Sequence, residues 1–301
     1  MSEIKTKCGF IALIGAPNAG KSTLTNQLVG AKVAIVSPKV QTTRTRVTGI
    51  AIHKNAQLIF VDTPGIFEAE KRLDRSMVHA AWEGAKDADV IGLMVDMSRK
   101  NPFAAAEKIF TKLGKQDKPV ALILNKVDLV AREKLLELAE QFNNAYDFDK
   151  IFMISALNND GVSDLMEYFV TKLPESVYLY PEDELTTMPM RLHAAEITRE
   201  KIFLQLHEEL PYSCTVETEA FDESDPEKWI IEQTIYVQRE SQRAIVLGHK
   251  GARIKAIGTA ARKDMRDQFG VAIHLQLFVK VRDGWLEDPE RFRVWGLEYK
   301  V

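Results

Sequence analysis

The sequence predicts two domains of different class. The first is α/β: a mainly parallel sheet with helices on both faces and one antiparallel edge strand. The second is a smaller α+β domain. Three observations predict this. Short apolar runs alternate with amphipathic stretches through residue 174, the pattern breaks at 175–190, and beyond the break strands and helices follow a different order. The expected boundaries are 1–174, a linker at 175–190, and 191–301.

In the first part the apolar runs Phe10–Ile14, Val47–Ile52, Gln57–Val61, Val90–Val95, Val120–Leu124 and Lys150–Ile154 read as strands. Asp74–Ala85, Phe103–Leu113, Arg132–Tyr146 and Gly161–Leu173 read as helices between or after them, the last stopped by Pro174. Only His53–Ala56 separates the second and third runs, which predicts a hairpin and hence the antiparallel edge. The break carries Pro174, Pro181 and Pro189 around the acidic Glu182–Glu184 and lacks helical periodicity. Beyond it, Leu192–Leu210 is a predicted helix ended by Pro211. Ser213–Phe221 and Trp229–Gln238 are strands, Gln242–Leu247 and Ala252–Phe269 helices, and Val271–Arg282 a strand.

Composition narrows the class further. The 301 residues are 46% apolar and 28% charged, as a globular chain with a soluble surface requires. Net charge is −3, so only the local distribution of charge points to partners. Cys8 and Cys214 fit no metal spacing and predict no disulfide framework. Residues 1–7 are short and polar, without a signal-peptide core, and no run reaches the ~18 apolar residues of a membrane span. A reduced, cytoplasmic protein is expected.

The chemistry starts after the first strand. Gly15, Ala16, Pro17, Asn18, Ala19 and Gly20 lead into Lys21, Ser22 and Thr23, the first turn of a helix. The glycines let backbone amides converge on an anion at a helix N-terminus, where unpaired N–H groups and the helix dipole add positive charge. Lys21 is expected to reach the outer phosphates of a nucleotide, and Ser22 to ligate Mg2+. Asp62, Thr63, Pro64 and Gly65 close the third strand. The aspartate can hold Mg2+, and the Gly65 amide can contact a γ-phosphate.

The base is read from Asn125, Lys126 and Asp128. A carboxylate at Asp128 can accept two hydrogen bonds from guanine, whereas adenine leaves it unpaired, a difference of roughly 10⁴ or more. Asn125 can bridge base and loop, and the Lys126 stem can cover the ring. Ser155 and Ala156 offer backbone amides to the guanine oxygen. Between the first helix and the hairpin lies polar Ser37–Arg46, where a threonine hydroxyl can complete the Mg2+ shell once a γ-phosphate is present. Thr43 is preferred and Thr42 stands beside it; spacing does not choose. Lys21, Thr43 and Gly65 are the expected catalytic groups; Ser22, Thr43 and Asp62 are the expected metal ligands.

In the second part, Gly248, His249, Lys250 and Gly251 sit between two helices, a turn that lets backbone approach a sugar-phosphate chain. Arg239, Arg243, Lys250, Arg253, Lys255, Arg262, Lys263 and Arg266 face only Glu240 and Asp264 there. Ile254, Ile257, Ala261 and Met265 keep helical spacing off that basic face. A basic face in an acidic chain is a nucleic-acid footprint, with Gly248, His249, Lys250, Gly251, Arg253 and Lys255 as its contacts. Trp285, Phe292 and Trp295 are candidates to stack on bases or on the domain itself.

The G-A-P-N-A-G-K-S, Q-T-T-R and D-T-P-G segments resemble the Era, Der and MnmE group of P-loop GTPases. The second half resembles a type II KH domain, and I-V-L-G-H-K-G-A-R-I-K-A-I-G closely matches the KH signature of the Era family. With that, the resemblance covers nearly the whole chain. It implies a GTP-hydrolysing switch using GTP/GDP and Mg2+, monomeric, that binds small-subunit ribosomal RNA near its 3′ end and assists assembly of a 30S-type subunit. In this group an asparagine at the position of Asn18 accompanies a bound K+. A peripheral membrane association is also implied, although no amphipathic anchor is evident. Ile66 stands where Ras-like enzymes place a glutamine that orients water, so slow unaided hydrolysis is expected.

Overall fold

The structure, a computed structural model, describes residues 5–207 and 210–301. The chain divides into two compact units. One holds the residues through Ala34, then Thr43–Thr187 and Trp295–Val301; the other holds Ile35–Thr42 and Met188–Val294.

The first unit is a six-stranded sheet: β1 (Lys7–Gly15), β2 (Val47–His53), β3 (Ala56–Asp62), β4 (Val90–Asp96), β5 (Val120–Asn125) and β6 (Lys150–Ile154), in the order β2-β3-β1-β4-β5-β6. All neighbours are parallel except β2 and β3, the expected hairpin. Every residue of β3 and β4 is buried, which explains why these strands read as unbroken apolar runs rather than alternating ones. The helices are α1 (Lys21–Val29), α2 (Arg72–Asp87), α3 (Pro102–Leu113), α4 (Arg132–Ala145) and α5 (Val162–Lys172). One core cluster centres on Phe60 and Phe169, the other on Phe110 and Phe142. Parallel strands end at one rim, and there the register sets Gly15 beside Met94 and Asp96 beside Asn125.

The stretch 175–187 is laid against this sheet. Ile50 N–H donates to Leu185 O at 2.9 Å, and the Gln57 amide donates to Tyr180 O at 2.8 Å. The outer strand β2 thereby gains partners along part of its free edge.

The second unit contains α6 (Met190–Gln205), β7 (Thr215–Asp222), β8 (Lys228–Val237), α7 (Glu240–Leu247), α8 (Ala252–Phe269), β9 (Ala272–Val281) and α9 (Pro289–Val294). β8 pairs antiparallel with β7 and parallel with β9. The parallel pairing requires a crossover, which α7 and α8 supply. Of the apolar stripe expected of α8, Ile257, Ala261 and Met265 are fully buried and Ile254 is half-buried.

α6 stops at Gln205 rather than Leu210, because Leu206 turns extended (φ −98°, ψ 154°). The Lys39 ammonium donates to the carbonyls of Phe203 and Leu206 and caps this end. A cation there satisfies orphan carbonyls and opposes the negative end of the helix dipole. Lys39 arrives with Ile35–Thr42, which lies along α6. Val36 N–H donates to Glu200 Oε1 at 2.9 Å, and the Arg199 guanidinium donates to Thr42 O. Arg199 is 2% exposed and is itself held by Glu196, Nε to Oε1 2.7 Å.

The tail aromatics are not available to bases. Trp285 and Phe292 are fully buried and Trp295 is 8% exposed. Arg291, buried against Glu217, packs 4.8 Å from the Tyr236 ring centroid.

Candidate functional site

The rim at the carboxyl ends of β1, β3, β4 and β5 gathers the predicted nucleotide residues. Gly20 caps α1 with φ 101°, so the amides of the first turn open toward the loop. A Cβ on Gly20 would lie 2.2 Å from Asn125 Nδ2. Its absence lets Asn125 donate to Ala19 O at 2.8 Å while Asn125 Oδ1 accepts from Ala156 N–H at 2.9 Å. The phosphate-side and base-side motifs are thus one hydrogen-bonded assembly. The amides of Ser155 and Ala156, expected to face the base, are engaged within the protein, with Asp160 O and Asn125 respectively. Asp128 is exposed on the turn 127–129.

Three oxygens meet below the loop. Ser22 Oγ donates to Asp62 Oδ2 at 2.7 Å and lies 2.9 Å from Thr43 Oγ1. Thr42 Oγ1 turns instead to Lys39 O, at 2.8 Å, and to Ser37 Oγ. Asp62 is fully buried, and its Oδ1 has no hydrogen-bond partner among the described residues. Burial pushes its pKa up to about 6, against the pull of Lys21 and the Ser22 hydrogen bond. Burial likewise brings Lys21 down to about 8; the Asp62 charge opposes this and the Arg99 charge adds to it. The Lys21 ammonium donates to Gly15 O and Ala16 O, both at 3.1 Å. A carboxylate with an unused buried oxygen beside two hydroxyls is an oxygen set suited to Mg2+.

The segment after β3 is pinned to the same loop. Thr63 Oγ1 donates to Leu13 O at 2.8 Å, and Ile66 N–H donates to Gly15 O at 3.0 Å. The Ile66 side chain packs against the core cluster behind the rim.

Two residues here were not anticipated from sequence. Asp96 accepts from Lys126 Nζ at 2.6 Å, and Arg99 donates to Pro17 O at 2.6 Å. The available signal was their position: Asp96 ends a buried parallel strand and Arg99 follows it, at the carboxyl end where ligands of such sheets bind.

The second unit presents a different surface. Gly248, Lys250 and Gly251 take φ of 70°, 50° and 75°, folding the turn tightly between α7 and α8. Arg239, Arg243, Lys250, Arg253, Lys255, Arg262, Lys263 and Arg266 are all exposed. Beside the turn is a groove of about 340 Å³ lined by Gln205, Gly248, His249, Ala252, Arg253 and Ala256. Arg253 also donates to Ile245 O at 3.0 Å, tying α8 to the end of α7. Of the isoleucines near this turn, Ile245 is 47% exposed, whereas Ile257 is core.

Residues 10–126 match the family described as 50S ribosome-binding GTPase, and 209–286 match the KH domain. The GTPase Era of Afipia carboxidovorans is 56% identical over 294 residues, 98% of this chain and 95% of that protein. The GTPase Era of Agrobacterium fabrum is also 56% identical, over 99% of this chain and 94% of that protein. The chain belongs to the Era family of GTPases. Two solved Era structures are similar across 98% of the chain at 38% identity. One is Era in complex with MgGDPNP and nucleotides 1506–1542 of 16S ribosomal RNA, TM-score 0.91. The other is a point variant of Aquifex aeolicus Era bound to GDP.AlF4-, TM-score 0.89. Each is covered over 100% of its length. The first unit thus carries the matched GTPase region, and the matched KH region lies in the second. Among the described residues no helix is long and apolar enough to cross a membrane.

Proposed function

We propose that this chain is a GTP-driven switch whose KH domain binds small-subunit ribosomal RNA near its 3′ end and assists assembly of that subunit. The observation that carries the reading is the basic face of α7 and α8 around Gly248–Gly251, in a chain similar to an Era bound to nucleotides 1506–1542 of 16S ribosomal RNA. Exposed arginine and lysine neutralise phosphates, the tight turn lets backbone come close, and the groove receives unpaired bases.

At the nucleotide end, the loop Gly15–Gly20 and the first turn of α1 hold the phosphates, with Lys21 released from its loop carbonyls to meet them. Asp128, Asn125 and Lys126 select guanine. Ser22, Asp62 and Thr43 would hold Mg2+, which would neutralise charge developing on the phosphates. Gly65 meets the γ-phosphate through its amide. Isoleucine at 66 cannot orient water, so hydrolysis is slow until another group assists. Asn18, whose φ is 63°, is the residue the family resemblance pairs with K+. Equal turnover in K+ and Na+ buffers would remove that element.

The RNA reading is tested by crosslinking in cells and sequencing the attached RNA, for the parent and for Gly251→Asp. One discrete site at the 3′ end of small-subunit RNA, lost in the variant, is expected. Scattered sites, or a site unchanged by the variant, would overturn it.

A further inference from the structure

The turn that follows β4 touches both halves of the GTP site, and neither of its charged groups has a role in the motifs. Asp96 is 7% exposed. Its Oδ1 accepts from Ser98 N–H at 3.0 Å and from Ser98 Oγ at 2.6 Å, which fixes the carboxylate on its own turn. Its Oδ2 accepts from Lys126 Nζ at 2.6 Å on the base side and lies 3.9 Å from Arg99 Nε. Burial alone would raise this carboxyl. The hydrogen bonds from Lys126 and Ser98, with the Lys126 charge, outweigh it and hold the pKa below its ordinary value. Asp96 is therefore an anion at neutral pH, placed between two cations.

Arg99 carries the link to the phosphate side. Its Nη2 donates to Pro17 O at 2.6 Å, a charge-assisted bond to the crown of the phosphate loop. Pro17 is gripped from another side by Gly65: a Cβ on Gly65 would lie 2.7 Å from Pro17 Cγ and 2.8 Å from its Cα and N. Directly after the held carbonyl comes Asn18 with φ 63°, a strained conformation for a residue with a side chain. The peptide between Pro17 and Asn18 has its oxygen on Arg99, so its N–H is oriented by the same bond.

We propose that Arg99 is a positioning residue of the GTP site. It braces the Pro17 carbonyl and so fixes the Pro17–Asn18 peptide at the crown of the phosphate loop, and Asp96 ties that brace to Lys126 on the base side. Arg99 acts through the loop and does not touch the nucleotide. The inference rests on the rim being the GTP site, and guanine-nucleotide binding by the parent chain tests that premise separately.

The test is release of a fluorescent GDP, together with the KM and kcat of GTP hydrolysis, on full-length parent, Arg99→Ala, Arg99→Lys and Asp96→Asn. Loss of one charge-assisted hydrogen bond predicts about tenfold faster GDP release in Arg99→Ala. KM should rise with it, while kcat stays within about threefold. Arg99→Lys keeps a cationic donor and should recover most of the difference. Asp96→Asn should also speed release, and it carries the test if Arg99→Ala does not fold. Unchanged release in both Arg99→Ala and Asp96→Asn would overturn the proposal. So would a fall in kcat of about 10³ with release unchanged, the signature of a guanidinium acting on the transferred phosphoryl group itself.

Discussion

Thr42 and Thr43 are neighbours in the chain that answer to different partners. Thr43 Oγ1 lies 2.9 Å from Ser22 Oγ in the nucleotide site, whereas Thr42 O accepts from Arg199 on α6. The boundary between the two compact units falls between them. At this one peptide the chain passes from a residue held by α6 to a residue beside Ser22. Arg199→Ala should reduce the difference in RNA affinity between GDP-bound and GTP-analogue-bound protein. A coupling of about 1–3 kcal/mol is the usual size of such linkage, and the variant should lose at least half of it. Titration of a 3′-end RNA oligonucleotide in both nucleotide states measures this.

Thr43→Ala should slow GTP hydrolysis by roughly 10²-fold while changing GDP affinity less than about threefold, because the hydroxyl is needed only with a γ-phosphate present. Thr42→Ala should keep hydrolysis within about threefold. Phosphate-release kinetics on the two variants separate the threonines.

Magnesium dependence should report the Asp62 carboxyl. Burial raises its pKa to about 6 from 3.8. The folded chain therefore holds a proton that the unfolded chain has released, and this group's contribution to stability falls as pH rises from about 4 to 6. Metal binding has the opposite sign, since Mg2+ must displace that proton. The Mg2+ concentration for half-maximal GTPase activity should rise about tenfold per unit of pH below 6 and be flat above 7. An Asp62→Asn variant should lose that slope along with most of its activity.

Gly251→Asp should weaken RNA binding by at least tenfold, placing a carboxylate where the turn approaches phosphate. The site is open, with only Ile254 Cγ2 at 3.9 Å from a built Cβ, so the structural cost is that of φ 75° alone. That is about 1–2 kcal/mol, visible as a modest drop in melting temperature. GTP hydrolysis without RNA should be unchanged.

Gly20→Ala should fail more broadly. Its Cβ must displace Asn125, which costs the bond to Ala19 O, and the alanine inherits φ 101°. GDP affinity should drop by about 100-fold or more, as seen by equilibrium fluorescence.

Much of this was legible in the sequence, for physical reasons. Buried parallel strands such as β4 are nearly all apolar, so Val90–Val95 announced itself to within a residue of Val90–Asp96. Ser22 and Asp62 stand out by motif chemistry, but spacing does not choose between Thr42 and Thr43; it takes the fold to put Thr43 Oγ1 beside Ser22 Oγ and to turn Thr42 Oγ1 to Lys39 O. The end of α6 was not, because Pro211 is a local stop signal, while the helix already ends at Gln205 with its last carbonyls on Lys39, far away in sequence. Arg99 and Asp96 were missed for a similar reason: their partners, Pro17 and Lys126, lie on other strands' loops. The tail aromatics were ambiguous because tryptophan suits both a core and a base, and only burial decides.

Asn125 occupies the space that Gly20 leaves empty and bonds to the carbonyl just before it, 106 positions away along the chain. The two short motifs are therefore a single packed unit: any side chain added at Gly20 must move Asn125, and moving Asn125 breaks its bonds to Ala19 O and to Ala156 N–H together.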